Sequence, residues 1–147
     1  MENSSRIVIF SDGGSRGNPG PAACAYIIHI GQEIVKKDSE YLGITTNNVA
    51  EYNGVVLALE ALIKMPLDFA RDCEIEFRLD SELVVKQLKG EYKIKDVNMI
   101  TLAMEVKKII ADNKLKITFL HVPRKENSIA DKMVNVKLDE ISRRGAN

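Results

Sequence analysis

Residues 73–90 read CEIEFRLDSELVVKQLKG, and the two halves of this stretch follow different periods. From Cys73 to Asp80 the residues alternate. Ile75, Phe77 and Leu79 face one way, while Glu74, Glu76, Arg78 and Asp80 face the other, as in a strand with one buried face. Ser81 then opens and Gly90 closes SELVVKQLKG, a short helix with both of its punctuation marks. A strand that hands over directly to a helix is a building unit of a sheet with helices packed on it.

Working outward, RIVIFSD (6–12) reads as a buried strand ended by a cluster of four glycines and two prolines between Gly13 and Pro21. AACAYIIHI (22–30), a turn at Gly31–Gln32 and EIVKKDSEYL (33–42) read as a hairpin. From Asn47 to Lys64, Val49, Tyr52, Val56, Leu59 and Ile63 recur at helical spacing, and Pro66 stops the helix. Beyond Gly90, residues 96–112 form another helix, KLKITFLHV (114–122) a last strand, and ENSIADKMVNVKLDEISRR (126–144) a final helix. The order condenses to βββαβαβα, an α/β fold with a five-stranded mixed β-sheet flanked by α-helices.

The 147 residues suit one domain (1–147) with a core of its own. The polar end from Leu138 to Asn147 is expected to fray and is assigned no function. No basic leader followed by a long apolar run opens the chain, and no apolar stretch reaches the ~20 residues a membrane span needs. The expectation is a cytoplasmic protein without a membrane partner, and a monomer with no obligate protein partner. Cys24 and Cys73 have no metal-ligand spacing and read as reduced core residues. Lys plus Arg and Asp plus Glu both total 21, which argues against a binder that relies on bulk charge for nucleic acid. An enzyme that uses metal ions and local contacts is compatible with that balance.

Four acids stand out by position. Asp12 and Asp80 each end a strand and are followed at once by a turn or a helix start. Ligands of such sheets sit outside the carboxyl ends of the strands. Each also has a plainer reading, Asp12 as a turn initiator and Asp80 as a helix cap. Glu51 lies one turn into the first long helix near the edge of its buried stripe, where an acid also suits the helix dipole. Asp131, flanked by Ile129 and Met133, lies at the margin of the last helix's buried face. Four converging carboxylates would repel one another and hold protons unless cations were present. Hard oxygen ligands suit two Mg²⁺ ions, with Mn²⁺ as substitute, and such a pair clamps the attacking and leaving oxygens of a phosphoryl displacement.

DGGSRGNPGPA, TTNNVAEYNGVVLALE, LDSELVVKQL and PRKENSIADKM, in this order, resemble ribonuclease H of type 1, in the compact form common in archaea and some bacteria. The likeness spans nearly the whole chain. It implies a ribonuclease H-like fold and an endonuclease that cuts the RNA strand of an RNA–DNA hybrid by two-metal-ion catalysis, leaving 5′-phosphate and 3′-hydroxyl ends. The family's metal-binding catalytic acids fall on Asp12, Glu51, Asp80 and Asp131. Larger relatives carry a histidine in a loop before the last acid; here Arg124 stands seven positions before Asp131. A guanidinium is no base, so the resemblance assigns Arg124 to phosphate charge or product release. His121 is the alternative, within the strand pattern KITFLHV.

Reading the 2′-hydroxyl is what separates RNA from DNA. Backbone groups at Gly13 and Gly14 can approach a sugar closely, because glycine has no side chain. By resemblance Asn18 and Asn48 contact the minor groove, with Thr46 and Asn47 near the DNA backbone. Glu82 stands where many relatives have a glutamine that contacts RNA. The basic, Trp-containing protrusion of larger relatives is replaced by LKGEYKIKDVN, and Ile44 stands where some have an arginine. Lys89, Lys93 and Lys95 are the partial replacements expected for that protrusion, and their plainer reading is a solvated face. Weaker hybrid affinity follows. Two alternatives remain: a non-catalytic hybrid-binding module, which would be expected to have lost an acid, and another two-metal nuclease of the superfamily. Proofreading exonucleases of that superfamily need two acids one residue apart on the first strand, where this chain has Gly13 and Gly14.

Overall fold

The computed structural model describes residues 6–66 and 73–145. β1 (Ile7–Ser15), β2 (Gly20–Ile30) and β3 (Glu33–Thr45) form an antiparallel meander. Helix α1 (Asn47–Ile63) then leads to β4 (Glu74–Leu79), which returns parallel to β1. α2 (Glu82–Leu88) and α3 (Val97–Asp112) precede β5 (Lys116–His121), which lies parallel to β4. A 3₁₀ turn (Arg124–Asn127) enters the final helix α4 (Ser128–Gly145). The sheet order is β3-β2-β1-β4-β5, a five-stranded mixed sheet as expected. Between β4 and β5 there are two helices, so the described elements run βββαβααβα rather than the condensed βββαβαβα.

Three layers follow from the alternation in the strands. Ile7, Ile9, Tyr26, Ile28, Ile75, Phe77 and Leu79 face α1, α2 and α3 and form the main core with Tyr52, Leu59, Val84 and Val106. On the other face, Ala23 and Ala25 are small enough for Val134 and Leu138 of α4 to pack against them. Side-chain caps start α1 and α2: Thr46 Oγ1 accepts from the Val49 N–H at 3.3 Å, and Ser81 Oγ from the Val84 N–H at 3.2 Å. Gly90, at φ +82°, closes the segment after α2.

β3 runs on to Thr45 rather than ending at Leu42, and two further boundary differences bear on the site. β1 does not end at Asp12: its pairing with β2 runs on through Gly13↔Cys24 and Gly14↔Ala23 to Ser15↔Ala22, while its pairing with β4 stops at Phe10↔Arg78. Gly13 makes this possible, since a Cβ there would sit 2.2 Å from the Ala50 carbonyl carbon of α1. The final helix begins at Ser128, after the 3₁₀ turn, and the polar segment from Leu138 stays helical to Gly145 with Leu138 itself buried. Its buried residues are Ala130, Val134 and Leu138, and Ile129 is half exposed instead. Both cysteines are buried.

Candidate active site

The parting of β1 from β4 after Phe10 and Arg78 opens the site. Asp12 and Asp80 each follow two residues after that last pair. Glu51 comes to meet them from α1, because Gly13 lets the α1 backbone at Ala50 and Glu51 lie directly against the strand. One carboxylate oxygen from each of Asp12, Glu51 and Asp80 lies within 4.8 Å of the others. Asp131 approaches from the opposite layer, on α4. It lines the same cavity of about 380 Å³, outside that set of three.

Burial makes this cluster costly in charge. Asp12 is pushed up to about 8, first by burial and then by repulsion from Asp80 and Asp131. Glu51, only 7% exposed and so deeper than the stripe edge expected for it, is raised well above the usual carboxylate range. Burial is the main cause, followed by the charges of Asp12 and Asp80, against a backbone hydrogen bond from Gly13. Glu51 Oε1 is buried without any hydrogen-bond partner. An orphaned carboxylate oxygen among mutually repelling acids fits a divalent cation: the ion would supply the missing partner and remove the repulsion.

The rim is built from a different set of residues. The Val122 N–H donates to the Leu79 carbonyl at 2.8 Å, which carries the chain from β5 past the end of β4 and brings exposed Arg124 to the cavity. His121 is exposed at the end of β5, level with Leu79, and does not line the cavity. Gly14, Asn47 and Asn48 line it. Asn18 and Asn47 also hold the β1–β2 loop together: Asn18 Oδ1 accepts from the Asn47 N–H at 2.9 Å, and Asn47 Oδ1 accepts from the Ser15 N–H at 2.8 Å. That leaves the amide NH₂ groups of both as their available donors. Thr46 is the α1 cap.

The expected site residues on α2 and beyond lie elsewhere. Glu82 is exposed and pairs with Lys86 at 3.1 Å one turn away. Lys89 pairs with Glu91 at 3.7 Å, and Lys93 and Lys95 are exposed. None of these lines the acid cavity.

The structure adds Ser15, Arg16, Ser81 and Asn135 to the cavity wall. Arg16 Nη2 bonds Asp139 at 2.8 Å and contacts the backbone carbonyl and Oδ1 of Asn135, clasping the glycine-rich loop to α4. Helical spacing alone could have found Asn135, one turn beyond Asp131, whose carbonyl its side chain bonds at 3.0 Å.

A mixed sheet whose parallel central strands deliver acids to their carboxyl ends, met by acids from helices of both layers, defines a ribonuclease H-like acid-cluster protein. The chain belongs to the RNase H family, which residues 4–139 match. It is 39% identical over 137 residues to ribonuclease HI of Halobacterium salinarum, covering 92% of this chain and 65% of that protein. A bifunctional protein of Mycobacterium tuberculosis is 32% identical over 143 residues. That match takes in 96% of this chain but 38% of the mycobacterial protein, so the chain spans well under half of that relative. The fold agrees with LC11-RNase H1, solved in complex with an RNA/DNA hybrid: TM-score 0.88, 38% identity, 92% of this chain and 99% of that one. The N-terminal RNase H domain of the mycobacterial protein superposes with TM-score 0.86 at 32% identity, over 95% and 98% of the two chains.

Proposed function

We propose that this chain hydrolyses the RNA strand of RNA–DNA hybrids, leaving 5′-phosphate and 3′-hydroxyl ends. The observation that carries the reading is the trio Asp12, Glu51 and Asp80, with oxygens within 4.8 Å and Glu51 Oε1 unpartnered, inside an open cavity that Asp131 and Arg124 also line. These four acids would hold Mg²⁺, or Mn²⁺ in its place, through hard oxygen donors. When bound, the metal would supply the positive charge that activates a water and neutralises the departing 3′-oxygen.

The protein's own groups do the rest. Strand register and helix packing hold the carboxylates in place before substrate arrives, so little reorganisation is left for the reaction. Arg124, at the exposed rim, offers a permanently charged fork to a phosphate and takes no proton. Asn18, Asn47 and Asn48 present amide donors to groove and backbone acceptors of the hybrid. A Cβ at Gly14 would meet only ordinary contacts, at 3.9 Å from Asn47 Oδ1, so Gly14 is the glycine that leaves room for a ribose. Gly13 is required instead by the packing of α1. We assign the protein as a monomer acting in the cytoplasm.

The test sets labelled RNA–DNA hybrid, duplex RNA and duplex DNA side by side, in Mg²⁺ and in Mn²⁺, with end analysis of the products. Cleavage of the RNA strand of the hybrid, ending in 5′-phosphate and 3′-hydroxyl, is expected. Hybrid that is bound but left intact would make the chain a binding module. Cleavage of duplex DNA would make it a different two-metal nuclease.

A further inference from the structure

Asn127, the last residue of the 3₁₀ turn, is only 1% exposed. Its Nδ2 donates to the Ser11 carbonyl at 2.8 Å and, over a longer 3.4 Å, to Asp80 Oδ2. Both acceptors are oxygens, which settles which end of the amide faces them. Its Oδ1 is buried with no partner. A buried amide with half its capacity unused opposes folding, so packing alone gives no reason for an asparagine here.

The anchors supply a reason. Ser11 directly precedes Asp12, and the Leu79 carbonyl that accepts from the Val122 N–H directly precedes Asp80. The segment 122–127 is therefore fastened at its two ends to the residues before the two strand acids. Arg124 lies between these fastenings and lines the acid cavity. A third bond, from the Glu126 N–H to the Pro123 carbonyl at 2.9 Å, closes the turn between them.

We propose that Asn127 is a positioning residue: its amide orients the Asp80 carboxylate through Oδ2 and, by fastening the 3₁₀ turn to Ser11, sets Arg124 against the same cluster. The inference rests on the reading of the acids as a cation site. With Oδ2 held by a donor, the Asp80 carboxyl loses its freedom to rotate, and its other oxygen keeps a fixed direction. Partners that orient metal ligands from behind typically govern affinity by about 10- to 100-fold.

The test measures Mn²⁺ affinity by calorimetry on the whole chain, alongside kcat and KM for hybrid cleavage and the thermal unfolding midpoint. Asn127→Asp keeps the shape and removes the donor; Asn127→Ala removes the side chain. Mn²⁺ affinity and kcat are each expected to fall about 10-fold or more, with KM for the hybrid changed by less than about two-fold. In an Asp80→Asn background, Asn127→Ala is expected to cost no further Mn²⁺ affinity, because the two act as one unit. A folded Asn127→Asp or Asn127→Ala with wild-type affinity and kcat overturns the proposal. So does a loss of affinity that persists undiminished in the Asp80→Asn background. If Asn127→Ala does not fold, Asn127→Asp decides. A wild-type chain that binds Mn²⁺ yet leaves hybrid intact overturns the hydrolytic reading alone, since the affinity arm still reads Asn127. A wild-type chain that binds no divalent cation overturns both.

Discussion

The acids at the strand ends and the lysines between α2 and α3 carry opposite charges in opposite settings. Asp12 and Glu51 are buried, close to other carboxylates, and raised in pKa by that setting. Lys89, Lys93 and Lys95 stand in solvent, one of them beside Glu91. Water and salt screen the second array, whereas burial of Asp12 and Glu51 weakens that screening in the first. The contrast teaches where a chain of zero net charge keeps its electrostatic leverage: in a few groups that the fold forces together, rather than in a charged surface.

The interior side of the contrast is broken most severely by Asp12→Asn. Cleavage of labelled hybrid is expected to fall by roughly 10³-fold or more, the scale of losing a principal source of transition-state electrostatics, with the circular dichroism spectrum retained. Activity near the wild-type rate would remove Asp12 from the site.

Gly13→Ala probes the packing that brings Glu51 in. A Cβ 2.2 Å from the Ala50 carbonyl cannot be accommodated without moving α1 or β1. A loss of about 3 kcal/mol, read from denaturant midpoints, is expected for such overpacking. A loss below about 1 kcal/mol would show that α1 yields easily there.

Arg124→Ala tests the rim, where a charge is exposed yet faces the cavity. A fall of about 10-fold in kcat is expected, smaller than for Asp12 because the guanidinium is one solvated contact among several. His121→Ala, outside the cavity, is expected to leave kcat unchanged, and a larger effect there than at Arg124 would exchange their roles.

A milder effect sharpens the comparison through pH. The folded-state pKa of Asp12 lies above its unfolded value, so the associated stability is fully present below about pH 4 and is lost as pH rises through about 8. In chelator, Asp12→Asn should therefore unfold at a higher temperature than wild type at pH 8. A gap on the order of 5 °C is expected, shrinking toward pH 5. Mg²⁺ should narrow the pH 8 gap by stabilising the wild type. A gap that is constant with pH would contradict the burial of an ionised Asp12.

The exposed side of the contrast should yield least. Replacing Lys89, Lys93 and Lys95 together by Ala should weaken hybrid binding several-fold and flatten its salt dependence by up to roughly one slope unit per lysine lost. Unchanged affinity and slope would leave these lysines as solvated surface.

Much of this architecture was legible in local pattern. Period-two alternation from Cys73 to Leu79 marked β4, and every second residue of it is buried in the observed core. Ser81 and Gly90 bounded α2 because capping and positive φ are short-range chemistry. The glycine cluster after Asp12 misled, since glycine is a turn former by default. Here Gly13 stays in the strand because the neighbouring helix needs the space, a reason that lies 37 residues away at Ala50. The turn comes only at residues 16–19, with Gly17 at φ +93°. The apolar Ile129 misled in the same way: hydrophobicity suggested burial, but the entry through the 3₁₀ turn rotates α4 so that Ala130 and Val134 face the sheet.

By itself the sequence determined which residues are acids, where strands and helices alternate, and that four ordered motifs match one family. These are properties of near neighbours along the chain, and near neighbours set periodicity, caps and motif spacing. Only the tertiary structure decided that Asp12, Glu51 and Asp80 form the tight trio while Asp131 reaches it from the other layer. The same holds for Glu51, buried with an unpartnered oxygen, and for Asn127, fastened at once to Ser11 and Asp80. Distances between groups remote in sequence depend on strand register and layer packing, and burial sets the dielectric in which those charges act.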